Sequence, residues 1–103
     1  MHPSTIIGID LGGTNVRAGL VGEDGMVRLE RRAVRADGAV EEVLDQLYEV
    51  TDALEAGPVA GIGIGVPGPV DTAAGIVYDL INIPAWREVA LKELFEARYS
   101  VPV

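Results

Sequence analysis

The chain has 103 residues, a formal charge of −8, 49% hydrophobic residues and no cysteine. That is enough for one small domain with its own core, and it is not a disordered composition. The acidity argues against nucleic-acid binding, which needs basic patches, and the missing thiols exclude disulfides and cysteine metal sites. The longest apolar run, Val59 to Val70, is broken by glycines and a proline and is too short to span a membrane. Met1-His2-Pro3-Ser4 lacks the basic-then-apolar order of a signal peptide. Together these features fit a cytoplasmic protein.

In chain order, Ile6 to Leu11 and Val16 to Val21 read as two strands around the polar turn Gly12-Gly13-Thr14-Asn15, a glycine hairpin. Gly22-Glu23-Asp24-Gly25 is a turn signal, and Met26 to Val34 reads as a third strand. Its Arg28, Arg31, Arg32 and Arg35 read as the charges of an edge strand that discourages edge-to-edge pairing. Asp37-Gly38 opens a helix running to about Ala56, capped by Asp37 and ended by Gly57-Pro58. Val40, Val43, Leu44, Leu47, Tyr48, Thr51 and Leu54 mark its buried face, and its all-acidic outer face reads as solvated surface.

Val59 to Val66 reads as a fourth strand whose alternating Gly61, Gly63 and Gly65 leave one bare face. Tight helix packing is the expectation for Gly61 and Gly63. Gly65 and Gly68 sit at the strand's C-terminal end, where ligands gather in α/β sheets. Gly75 to Tyr78 is a short extended piece. Asn82, between Ile81 and Ile83, needs hydrogen-bond partners, either local backbone or sugar hydroxyls. Trp86 reads as a core anchor. Glu88 to Tyr99 reads as a second helix with Val89, Leu91, Leu94 and Phe95 on its apolar side, and Val101-Pro102-Val103 begins another extended segment. A helix–strand transition at the chain's last residues points to a fragment. Spacing alone gives an α/β domain with an antiparallel start.

The first turn carries chemistry. Bare N–H groups in a glycine turn can converge on phosphate oxygens, with the Thr14 hydroxyl and Asn15 amide beside them. Asp10, at the end of the first strand, would repel phosphate unless a divalent cation lies between; Mg²⁺ binds few carboxylates and keeps several waters. The stretch is either a site for a metal-bound polyphosphate or an ordinary hairpin. Gly8 to Thr14 spaces like a P-loop, but no lysine precedes the threonine and a strand follows where a helix is needed. Gly63-Ile64-Gly65-Val66-Pro67-Gly68 matches the dinucleotide fingerprint, yet Pro67, Pro69 and Gly75 oppose the helix that must follow it.

Asp10-Leu11-Gly12-Gly13-Thr14-Asn15 resembles the first phosphate motif of the ROK family (repressors, open reading frames, kinases), within the superfamily of hexokinases, actin and heat-shock chaperones. Three further stretches resemble the family in the same order: Gly61 to Asp71, Gly75-Ile76-Val77 leading to Asn82-Ile83-Pro84-Ala85-Trp86, and Tyr99 to Val103. The resemblance implies a ribonuclease H-like (actin-like ATPase) domain, with three antiparallel strands continued by parallel strands through helical crossovers. It implies the N-terminal part of an ATP-dependent kinase for a hexose such as glucose, with ATP and sugar bound between this domain and an absent C-terminal one. Carried over, Asp10 would hold Mg²⁺, and Gly12, Gly13, Thr14 and Asn15 would face the ATP phosphates. Arg17 sits where a basic residue often follows the loop, and otherwise is a strand residue reaching solvent. Gly68 and Asn82 match positions used near the sugar, although Ile81 replaces the common proline. The catalytic aspartate, a general base, would lie a few residues beyond Val103, so these residues alone are expected to be inactive. Two other readings are the sugar-sensing part of a ROK regulator, and a non-catalytic nucleotide-binding module. The regulator reading is opposed by the few residues before the first strand and by the intact Asp-x-Gly-Gly-Thr pattern. A homo-oligomer is compatible with this reading.

Overall fold

The computed structural model describes residues 4–103, so of the opening Met1-His2-Pro3-Ser4 only Ser4 lies inside it. Strands β1 (Ile6–Leu11), β2 (Asn15–Gly22) and β3 (Gly25–Ala33) form an antiparallel meander. Helix α1 (Val40–Asp52) then crosses over to β4 (Gly61–Gly65), which pairs parallel to β1, giving the order β3-β2-β1-β4. Beyond β4 the chain makes a small antiparallel sheet of β5 (Val70–Asp71), β6 (Ile76–Tyr78) and β7 (Glu88–Val89), then helix α2 (Leu91–Tyr99). The mixed sheet with helices confirms the α/β class.

Period-two alternation builds the core. Ile7, Ile9 and Leu11 of β1 and Val16, Ala18 and Leu20 of β2 are buried, and Val43, Leu47 and Val50 of α1 are buried in the same apolar cluster. Two expectations need correction. Glu88 does not begin the second helix: Glu88–Val89 pairs with Tyr78 and Val77, so Val89 is buried from a strand, and Leu94 is exposed. Asp37 does not cap α1. Ala39 occupies the cap position, and its N–H donates to Glu42 Oε1 (3.3 Å), a carboxylate three residues into the helix satisfying a free donor. The acidic outer face of α1 is exposed, as expected, and carries surface ion pairs: Glu49 with Arg32 and Asp52 with Arg98, and just past the helix Glu55 with Arg28. As exposed pairs they add little stability each; those of Arg28 and Arg32 link edge strand β3 to the α1 segment, and that of Arg98 links the C-terminal helix to it. The buried Gln46 amide does more: it donates to Ala33 O (2.7 Å) and accepts from Arg35 N–H (2.8 Å), satisfying the backbone where β3 leaves the sheet.

Helix α2 is locked to α1 through Tyr48, Phe95 and Tyr99, with ring centroids 5.1, 5.4 and 6.2 Å apart. The Tyr99 hydroxyl donates to Asp52 Oδ1 (2.8 Å) and the Arg98 guanidinium lies 4.3 Å from the Tyr48 ring centre. Burial, helped by the Asp52 carboxylate, pushes the Tyr99 phenol from 10.0 up to about 12. Burial also raises Tyr48. A folded phenol therefore keeps its proton in a pH range where the unfolded one loses it. Its contribution to stability is complete below pH 10 and is lost as pH rises towards about 12. Denaturant unfolding followed from pH 9 to 12 is expected to show this fall, and Tyr99→Phe to flatten it. An undiminished fall in the variant would assign it to other groups.

Candidate phosphate-binding site

The hairpin between β1 and β2 is closed by Gly12 N–H donating to Asn15 O (2.9 Å), and its outer side is tied to the end of β3 by Val34 N–H donating to Thr14 O (2.8 Å). Gly12, Gly13, Thr14 and Asn15 thus form one short turn at the C-terminal end of β1. Neither glycine has positive φ. What they provide is space. A Cβ on Gly12 would stand 3.1 Å from Asn15 O, and one on Gly13 would stand 2.8 Å from the Asn82 Cβ and 3.0 Å from its Nδ2. The turn is therefore built for close approach rather than for a left-handed backbone.

Asp10 is exposed at the end of β1. It pairs in register with Arg17 on one side and Gly65 on the other, and Arg17 pairs with Arg31. These four residues form one row across the sheet, on the face opposite α1. Among the described residues no salt bridge within 4.0 Å reaches Asp10 or Arg17, and no group of three or more acidic or histidine side chains is placed to hold a metal. One free carboxylate beside a glycine turn suits Mg²⁺, which takes few protein ligands and fills its shell with waters and phosphates.

The next row on that face is Leu29, Gly19, Gly8 and Gly63, the floor of a shallow groove of about 380 Å³ that reaches Asp10 and Arg17. A Cβ on Gly8 or Gly63 would meet nothing within 4 Å, and one on Gly61 would meet Pro102 O at 3.2 Å. The helix packing expected at Gly61 and Gly63 is thus absent among the described residues. Gly61 instead admits the Val101–Val103 segment, whose Pro102 O accepts from Ile62 N–H (2.9 Å).

Asn82 reaches the site from a compact loop, residues 79–87. Main-chain bonds from Asp79 N–H to Arg87 O (3.0 Å), Leu80 N–H to Trp86 O (3.0 Å) and Trp86 N–H to Ile83 O (3.0 Å) close it, and the buried Leu80, Ile83 and Trp86 anchor it. Asn82 is exposed and its amide makes no hydrogen bond to the protein among the described residues, so of the two kinds of partner open to it the local backbone is not used. Ile81 beside it is 90% exposed, an apolar side chain held out at the same end of the molecule. Gly68 stands behind this loop: a Cβ there would lie 2.5 Å from Leu80 Cδ2 and 3.6 Å from Tyr78 O. Its visible role is to seat the loop that carries Asn82. The loop after β4 runs to β5 without a helix, as the prolines require. Sequence reasoning missed the Gly13–Asn82 contact, since nothing local in either stretch signals the other.

The glucokinase of Streptomyces coelicolor is 36% identical over 98 residues, which cover 94% of this chain and 30% of that protein. A crystal structure of a ROK family glucokinase from Streptomyces griseus, in complex with glucose and AMPPNP, superposes with a TM-score of 0.84 at 33% identity, covering 96% of this chain and 31% of that one. A xylose repressor of Caldicellulosiruptor bescii is 31% identical over 106 residues, 96% of this chain and 26% of the repressor. The chain thus spans about a third or less of the length of each of these three relatives. The sequence model of the ROK family matches residues 6–103, nearly the whole chain, and the chain belongs to that family.

Proposed function

We propose that this chain is the N-terminal part of an ATP-dependent hexose kinase of glucokinase type, in a ribonuclease H-like domain that supplies the phosphate loop and one wall of the sugar pocket. The observation that carries the reading is the contact between Gly13 and Asn82, which brings a phosphate-type turn and an unpaired amide to one end of the sheet. In this reading the N–H groups and side chains of Gly12, Gly13, Thr14 and Asn15 hold the ATP phosphates. Asp10 would hold Mg²⁺, and the cation would supply the positive charge that offsets the repulsion between carboxylate and phosphate. Arg17 lends positive charge beside them. The Asn82 amide donates to and accepts from sugar hydroxyls, and Gly68 keeps its loop in place. Phosphoryl transfer depends on positioning and charge stabilisation, which is what such a cradle offers. The aspartate that takes the sugar proton lies beyond Val103 in this account.

The similarity to a glucokinase solved with glucose and AMPPNP supports the choice of sugar and nucleotide. The match to a xylose repressor favours a second reading, a sugar-sensing domain. The Asp10-Leu11-Gly12-Gly13-Thr14-Asn15 motif, complete here, favours the kinase. A coupled assay with glucose and ATP tests this: the protein extended to its relatives' length is expected to form ADP in a glucose-dependent way, and the 103-residue chain none. Glucose binding without ADP formation by the extended protein would move the account to the sensor.

A further inference from the structure

Gly13 and Asn82 lie on two loops that share no strand and no main-chain hydrogen bond, yet they touch more closely than a methyl group would allow. A Gly13 Cβ would be 2.8 Å from Asn82 Cβ, 3.0 Å from Nδ2 and 3.1 Å from Cγ. The nearest atom is Asn82 Cβ, which no rotation about χ1 can withdraw. The clash is therefore with the root of the side chain and hence with the position of the 79–87 loop. That loop is stiff. Its main chain is cross-bonded, Leu80, Ile83 and Trp86 are buried, and Gly68 presses on Leu80 from behind. The hairpin turn is stiff as well, held by Gly12 N–H to Asn15 O and by Val34 N–H to Thr14 O. Two rigid loops in direct contact cannot move independently, because packed groups shift as units rather than deform.

We propose that Gly13 and Asn82 form a steric relay: nucleotide phosphates settling on residues 12–15 fix the position of the Asn82 amide, and a sugar on that amide fixes the turn in return. The coupling is reciprocal, as any linkage between two binding equilibria must be. Asn82 is thereby a positioning residue for the phosphate loop as well as a sugar contact. The relay rests on the kinase reading of both loops, but it makes a claim that reading does not: a change at Gly13 acts through residue 82.

The test is a double-mutant cycle read with Mg²⁺ and AMPPNP as the probe. Gly13→Ala is expected to weaken nucleotide binding about tenfold, and the loss is expected to shrink to about threefold or less in an Asn82→Gly background, where the obstructing Cβ is gone. In an Asn82→Ala background, which keeps that Cβ, the loss stays near tenfold. A second readout separates relay from simple packing. In the unsubstituted chain, nucleotide is expected to shift the backbone amide resonances of Leu80 and Ile83 as well as those of Gly12 to Asn15, and Asn82→Gly to abolish the former while keeping the latter. Equal losses in all three backgrounds, or nucleotide shifts confined to residues 12–15, would overturn the relay and leave the phosphate site standing. No shift at residues 12–15 at all would overturn both.

Discussion

Gly75→Ala is expected to destabilise the chain by about 3 kcal/mol or more, as overpacking and backbone strain add. Gly75 has φ +68°, a region that an L side chain enters only at a cost. It also lies directly under the first turn of α2. A Cβ there would run into Lys92 Cβ, with Lys92 Cδ and Cγ at 2.8 and 2.9 Å. A lysine can swing its far end aside but cannot move its Cβ without moving the helix. Lys92 N–H also donates to Gly75 O (3.2 Å), so the helix start and the turn are joined at the same place. Displacing α2 would disturb Phe95 and Tyr99, which seat it on α1. Denaturant unfolding of the variant checks this. A change below about 1 kcal/mol, the scale of an ordinary exposed substitution, would mean that α2 is not held against this turn.

The second large effect is chemical. Asp10→Asn is expected to remove the Mg²⁺ dependence of nucleotide binding, and in the extended protein to lower phosphoryl transfer by about a thousandfold, the scale of several kcal/mol of metal-borne charge stabilisation. The fold should survive, because Asp10 is exposed and no salt bridge reaches it among the described residues. Asparagine keeps the shape and loses the charge, so the variant separates metal binding from packing. Nucleotide affinity measured with and without Mg²⁺ decides it. A variant that still tightens with Mg²⁺ as the parent does would remove Asp10 from the metal site.

Much of the large sheet was legible because its elements are long. Strands β1 and β2 carry several repeats of a two-residue period and helix α1 several of 3.6, while β3 was bounded by the turn before it and by its charges. Their ends moved by only a few residues. The edge position of β3 was legible from its arginines, though their pairing with α1 was not. The second sheet was not legible. Strands of two and three residues show no periodicity, and Glu88-Val89 reads equally well as the start of the helix that follows. Helix capping at Ala39 was hidden because the satisfying group, Glu42, lies inside the helix rather than ahead of it.

The site divides the same way. Asp10 and residues 12–15 are adjacent in sequence, so one turn announces them together. Asn82 was legible as an amide in need of partners and through family resemblance, but its apolar neighbours pointed to burial, whereas the loop turns both Ile81 and Asn82 outward. The reason is tertiary: Leu80, Ile83 and Trp86 take the interior positions, leaving the residues between Leu80 and Ile83 no room inside. The glycines of the first turn were legible as bare backbone open to close approach. Neither has positive φ, and the neighbour that approaches Gly13, Asn82, is distant in sequence and so was not legible.

The most direct test of the central claim is to titrate the isotopically labelled chain with ATP in the presence of Mg²⁺ and follow every backbone amide resonance. The account predicts shifts led by Gly12, Gly13, Thr14 and Asn15, greatly reduced when Mg²⁺ is withheld. Shifts centred elsewhere, or indifferent to Mg²⁺, would contradict a metal-bound polyphosphate at this turn.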